Sequence, residues 1–182
     1  MSWAIMELAR NPECQRKLQR EIDTRLAEIG GLEKLEFKDL FKFEYLTLAI
    51  NETLRLWPVV ASGTFRLMDK DQEVLGRILP KGTVMLFPHI ILHRDKAVWG
   101  DDAESFRPER KWASDSFTPF TVSPRDCLGR NLAMMEMRMV LINLFHHFNV
   151  SLKDPNLVYE GFSSFTLFPE HGVWVNLQPR HN

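Results

Sequence analysis

The chain has 182 residues, 45% of them apolar, and 23 basic against 24 acidic side chains give a formal net charge of −1. That is enough chain for one domain with a real core, and the even charge balance with no basic stripe points away from nucleic acid. Cys14 and Cys127 are too few cysteines for a disulfide framework and fit a reducing compartment, and no apolar run is long enough for a signal peptide or membrane span, the first being closed by Glu7 and Arg10.

Residues 1–10 are predicted to be helical. Asn11-Pro12 breaks that helix and starts another, with Asn11 as N-cap and Pro12 in the first turn. Cys14, Leu18, Ile22, Arg25 and Leu26 follow at helical spacing, and Gly30-Gly31 stops the run. Cys14 is one position on the apolar stripe and is assigned no function. A further helix is expected from Asp39 to Leu56, ending at Trp57-Pro58. Tyr45, Leu48, Glu52 and Arg55 share one side of it. By spacing alone, Glu52 and Arg55 are an ordinary surface ion pair.

Three strands are expected next, Thr64–Met68, Glu73–Leu79 and Thr83–Phe87, with turns at Asp69-Lys70-Asp71-Gln72 and Leu79-Pro80-Lys81-Gly82. Arg66 lies on the first of them. His89 and His93 stand at i,i+4, a spacing that can bind zinc on a helix. No glutamate follows His89 in an H-E-x-x-H pattern and no third ligand is near, so both are expected to pack or cap.

Phe106-Arg107-Pro108-Glu109-Arg110-Lys111-Trp112 and a short polar stretch lead to Phe117. Ser123 and Pro124 then form a turn. From about Gly129 the chain is helical for roughly twenty residues. Cys127 therefore sits in the last loop positions before a helix, where unpaired N–H groups and the positive end of the dipole favour a thiolate. Arg125 adds a positive charge. Such a sulfur is a ready metal ligand or nucleophile, and the competing reading is a buried, inert cysteine. The helix itself is apolar almost all round, interrupted by Asn131, Glu136, Arg138 and Asn143, which argues for burial inside a larger protein. His146-His147 closes it, and Val150 to Leu177 has strand character, with turns at Asp154-Pro155-Asn156 and Pro169-Glu170-His171-Gly172.

Three stretches, in this order, resemble the cytochrome P-450 family. Asn51 to Pro58 resembles its E-x-x-R signature. Phe106 to Trp112 resembles its P-E-R segment, with one extra lysine before Trp112. Phe120, Arg125, Cys127 and Gly129 match the haem loop F-x-x-G-x-R-x-C-x-G, and Ala133 matches its common extension. Ser2-Trp3-Ala4 looks like the tail of the family's long central helix. Ser123 departs from the pattern, where glycine is usual. Glycine allows a tight bulge there, and serine follows that path at a cost of about a kcal/mol.

The resemblance implies a mainly α fold with small β-sheets (α+β). Residues 1–182 would be a single C-terminal, haem-binding portion of the P-450 fold, of eukaryotic and fungal-like type, with the N-terminal half missing. It implies haem b (iron protoporphyrin IX) as cofactor, with Cys127 as the axial ligand of the iron. Phe120 and Gly129 shape the loop, and Arg125 and Arg66 are candidates to meet the haem propionates. Glu52, Arg55 and Arg110 would form a buried structural network. Val60–Gly63 and Phe162–Thr166 would face substrate. The implied activity is that of a haem-thiolate monooxygenase, inserting one oxygen atom from O2 into a small hydrophobic organic substrate. Electrons would come from an NADPH-dependent reductase docking on the cysteine side. Members of this type usually sit on the endoplasmic reticulum membrane through an N-terminal anchor. Neither that anchor nor the acid–alcohol pair of the central helix is expected in this chain. Two other readings stay open: a non-catalytic remnant or partner-binding fragment using its apolar helix, and a haem-binding sensor without turnover.

Overall fold

The computed structural model describes residues 1–111 and 114–180. Trp112, the last residue of the P-E-R motif, lies outside the described residues. Helix α1 (Ser2–Arg10) and helix α2 (Pro12–Ile29) meet at Asn11, and Pro12 opens α2, where its missing N–H costs nothing. Asn11 does not cap α2 with its side chain, contrary to expectation. Its Nδ2 turns back and donates to the Glu7 carbonyl at 2.9 Å, closing α1 instead. Gly30, at φ 93°, ends α2 in the left-handed conformation and donates its N–H to the Leu26 carbonyl at 2.9 Å.

The expected helix from Asp39 to Leu56 is two elements. A 3-10 segment spans Phe37–Lys42, and helix α3 spans Glu44–Leu56. Between them Phe43 is extended and fully buried, so its ring enters the core at the cost of helical continuity. The start of α3 is capped from another helix: the Glu21 carboxylate of α2 accepts the N–H groups of Tyr45 at 2.8 Å and Leu46 at 2.9 Å.

Strand β1 (Thr64–Leu67) pairs antiparallel with β4 (Val84–Phe87), so that Arg66 faces Met85 across the ladder. The expected strand Glu73–Leu79 is a hairpin of β2 (Gln72–Val74) and β3 (Arg77–Leu79). Leu75 and Gly76 make its turn at φ 51° and 75°. Leu75 looks like a strand residue in sequence, but it is almost wholly exposed here. Gly63, at φ 78°, is irreplaceable on space alone, since a Cβ there would lie 1.6 Å from the Phe87 carbonyl oxygen. This close approach presses the 60–63 turn against the end of β4.

Two short helices, α4 (His89–Leu92) and α5 (Lys96–Trp99), lead to the loop that carries the P-E-R motif. Helix α6 (Arg130–His147) runs into β5 (Phe148–Leu152), which pairs with β8 (Val175–Pro179). Strands β6 (Gly161–Ser163) and β7 (Leu167–Pro169) form a separate hairpin. The main core gathers apolar side chains of α1, α2, α3, α6 and β5. Only the C-terminal half of α6 is deeply inserted, through Leu141, Ile142 and Phe145, while Leu132 near its start is 56% exposed. The architecture is thus mainly helical with small antiparallel sheets.

Candidate functional site

Helix α3 ends in a fully buried ion pair. Arg55 grips Glu52 with both prongs, Nε to Oε2 and Nη2 to Oε1, each at 2.9 Å. Arg110 arrives from the P-E-R loop and donates Nε to Glu52 Oε1 at 3.1 Å, and the Arg107 backbone N–H adds a donor at 3.0 Å. Two guanidiniums on one carboxylate leave a positive charge, and Asp102 balances it by accepting from Arg110 Nη1 at 2.7 Å. This hydrogen bond holds the Asp102 carboxyl below its usual range. Asp102 escapes sequence reasoning because it sits in an irregular loop with no periodic relation to the motif. The remaining guanidinium protons reach backbone carbonyls, including Arg55 Nη1 to Ala103 at 2.6 Å and to His93 at 2.8 Å.

The cysteine loop lies beyond it. The Thr121 N–H donates to the Thr118 carbonyl at 3.0 Å, the Arg125 N–H to Val122 at 3.2 Å, and the Cys127 N–H to Phe120 at 2.9 Å. Phe120 is half-buried against the main core and anchors the loop, with the Arg130 guanidinium 5.8 Å above its ring. Cys127 is exposed and free, which sets aside the buried, inert reading. It stands just ahead of α6, whose first turn has no side-chain cap. Gly129 lies against the sulfur, and a Cβ there would make ordinary van der Waals contact with Cys127 Sγ at 3.8 Å.

The Ser123 expectation needs correction. The left-handed residue of the loop is Thr121, at φ 61°, and not Ser123. A β-branched residue in that region is an outlier costing about 1–3 kcal/mol. Its hydroxyl partly compensates by donating to the Arg125 carbonyl at 2.8 Å. The peptide between Ser123 and Pro124 is cis.

Arg66 on β1 is half-buried and, among the described residues, its guanidinium bonds the carbonyl of its neighbour Phe65 at 3.0 Å. It shares the wall of a cavity of about 310 Å³ with His89, Thr118, Thr121 and Val122, so β1 and the cysteine loop face a common space. Arg125 is exposed on the loop. Neither arginine pairs with a carboxylate among the described residues. Val122 and Leu128 of the cysteine loop expose apolar surface. His89 and His93 stack in parallel with ring centroids 5.6 Å apart. Among the described residues no three His, Cys, Asp or Glu side chains are grouped to cage a bare metal ion. The donor set is one accessible sulfur, an apolar rim and two guanidiniums, with the Asp115 carboxylate also on the cavity wall. It fits a metal carried inside a flat, apolar macrocycle with acidic side groups.

The hairpin of β6 and β7 joins this side of the molecule. The Leu167 N–H donates to the Val59 carbonyl at 2.7 Å, which brings residues 162–166 next to the 60–63 turn.

The family model described as Cytochrome P450 matches residues 1–174. The chain belongs to the cytochrome P450 family. It is 35% identical to cytochrome P450 3A12 of Canis lupus familiaris over 99% of this chain and 36% of that protein. Cytochrome P450 3A6 of Oryctolagus cuniculus is 39% identical over 84% of this chain and 31% of its own length. Cytochrome P450 3A19 of Capra hircus aegagrus is 34% identical over 99% of this chain and 84% of its own. Against the first two the P450 chain spans about a third of the relative's length. No helix among the described residues is long and apolar enough to cross a membrane.

Proposed function

We propose that this P450 chain forms the cysteine-side half of a haem-thiolate monooxygenase site. The observation that carries the reading is Cys127, an accessible sulfur at the uncapped start of α6, in a loop anchored to the core, with Arg125 on the loop and Arg66 across the adjoining cavity. In this reading Cys127 holds the haem iron, and Arg125 and Arg66 meet the propionates. Phe120 and Gly129 keep the loop's shape. Glu52, Arg55 and Arg110, with Asp102, hold the elements around the loop in register. Bound there, haem b supplies the activation of O2, with the thiolate donating electron density to the iron. The protein's own work is to orient the macrocycle, neutralise its acidic groups and keep water from the sulfur side.

A small hydrophobic organic substrate would approach the opposite face, near the 60–63 turn and the 162–166 hairpin tip. An NADPH-dependent reductase would supply electrons from the cysteine side. A second reading, a non-catalytic fragment that binds a partner, is favoured by one feature. Leu128 is fully exposed and Leu132, Met139 and Val140 leave much of one side of α6 in solvent.

The deciding experiment is haem reconstitution followed by the reduced carbon monoxide spectrum. The parent chain and Cys14→Ser should give the thiolate-type spectrum, and Cys127→Ser should lose it. Retention of that spectrum in Cys127→Ser would refute the ligand assignment.

A further inference from the structure

His93 touches both the buried ion network and the cysteine loop. Its carbonyl accepts Arg55 Nη1 at 2.8 Å, and its ring Nε2 accepts the backbone N–H of Thr118 at 3.0 Å. The ring is fully buried. It is held by His89 stacked at 5.6 Å, by Phe117 tilted at 5.6 Å and by the edge of Trp99 at 6.4 Å. An acceptor at Nε2 requires the neutral tautomer with its proton on Nδ1. Nδ1 lies near the Arg55 and Leu54 carbonyls at the end of α3, though outside strict hydrogen-bond geometry. Thr118 is where the loop begins. Its carbonyl takes the Thr121 N–H, and two residues on from Thr118 the Phe120 carbonyl takes the Cys127 N–H at 2.9 Å.

We propose that His93 is a positioning residue for the cysteine loop: its imidazole accepts the Thr118 N–H and so sets where Cys127 stands relative to the Glu52–Arg55–Arg110 network. The functional consequence rests on the haem-thiolate reading, whereas the positioning itself does not. A phenylalanine fills the same space without an acceptor and leaves a buried N–H unpaired, so the loop would shift or open to find water. A glutamine can return an acceptor oxygen to roughly the place of Nε2. Burial, with His89 and Arg55 nearby, holds the ring's pKa down at about 4, so it stays neutral and able to accept across the ordinary pH range.

The test compares the 182-residue chain with its His93→Phe, His93→Gln and His93→Asn variants, the last too short to reach Thr118. Two measurements use chain without haem: hydrogen exchange at the Thr118 amide, and the alkylation rate of Cys127 in a Cys14→Ser background. A third follows haem titration and the share of thiolate-type reduced carbon monoxide spectrum. Phe and Asn should raise Thr118 exchange and change Cys127 alkylation at least tenfold, while Gln restores both toward the parent. Haem affinity and the thiolate share should fall with Phe and Asn and recover with Gln. If His93→Phe does not fold, His93→Asn carries the comparison. Unchanged Thr118 exchange and Cys127 alkylation in the variants would overturn the proposal. A parent chain without the thiolate spectrum, but with these shifts in the haem-free measurements, would overturn the haem reading and leave His93 as the residue that positions the loop.

Discussion

Thr121 carries backbone strain that its hydroxyl offsets only in part. Thr121→Gly should stabilise the fold, because relief of about 1–3 kcal/mol of left-handed strain exceeds the ~1 kcal/mol that a more flexible unfolded chain costs. The hydroxyl bond lost to the Arg125 carbonyl is solvent-exposed and offsets little. A denaturation midpoint at or below the parent's would contradict this. His93 makes a second prediction, in pH. Its pKa falls from 6.5 to about 4 on folding, first through desolvation and then through His89 beside it. Between those values the unfolded chain binds a proton that the native chain does not, so this contribution to stability is lost as pH drops from about 6.5 to about 4. The full loss is roughly 3 kcal/mol. His89 shifts in the same direction and Glu7, raised by burial, in the opposite one. The measurement is therefore the difference between parent and His93→Phe in urea unfolding free energy against pH, which should narrow as pH falls through that window.

At the scale of elements, the network at the end of α3 ties α3, α5 and the 100–110 loop together through charge rather than apolar contact. Glu52 and Arg55 are fully buried, so removing Arg55 leaves the Glu52 carboxylate with Arg110 as its one ion-pair partner among the described residues, and removing Glu52 leaves two buried guanidiniums without their shared carboxylate. Arg55→Ala should cost about 3–5 kcal/mol and appear as loss of soluble protein, with the remaining chain unable to hold haem. A well-folded Arg55→Ala chain with full haem content would contradict it. Asp102→Asn should be milder, since Asp102 is half in solvent and its partner Arg110 keeps Glu52 and three carbonyl contacts, to Trp99, Asp102 and Ser105, among its bonds. The ranking Arg55→Ala well below Asp102→Asn in thermal midpoint is the check. Helix α6 is held differently. Arg180 donates to the Phe145 and His146 carbonyls at 2.7 and 3.2 Å and pairs with Asp23 of α2, so the chain's end closes the helix that Cys127 begins.

For the whole molecule, the exposed apolar surface decides behaviour in solution. Phe65, Leu67, Val84 and Leu86 on the β1–β4 pair are all open, as are Val122, Leu128, Leu132 and Phe165. Surface of this extent on one chain favours association. The 182-residue chain alone should show a concentration-dependent hydrodynamic size and weak haem retention. With a reductase supplied it should consume electrons with little hydroxylated product, because an uncovered haem face admits water. A monomer at all concentrations, binding haem one to one and forming product in step with reductant, would refute this.

Sequence alone determined the family, the three motifs and their order, the start of α2 at Pro12, its stop at Gly30, and the place of Cys127 just before a helix. Those features are encoded by residue type and short spacing, and local sterics and capping enforce them wherever the chain goes. Glu52 and Arg55 were legible as a pair three residues apart, but their spacing alone suits a surface pair equally well. Only packing made them a buried one, by bringing Arg110 and Asp102 from a loop about fifty residues further along. The same reason covers the other differences. Phe43 left the helix to fill the core, Glu21 capped a helix it does not belong to, Leu75 turned a strand into a hairpin, and the loop's strain fell on Thr121 rather than Ser123. Each depends on a partner distant in the chain or on the path the backbone must follow to meet one, and neither leaves a periodic trace in the sequence.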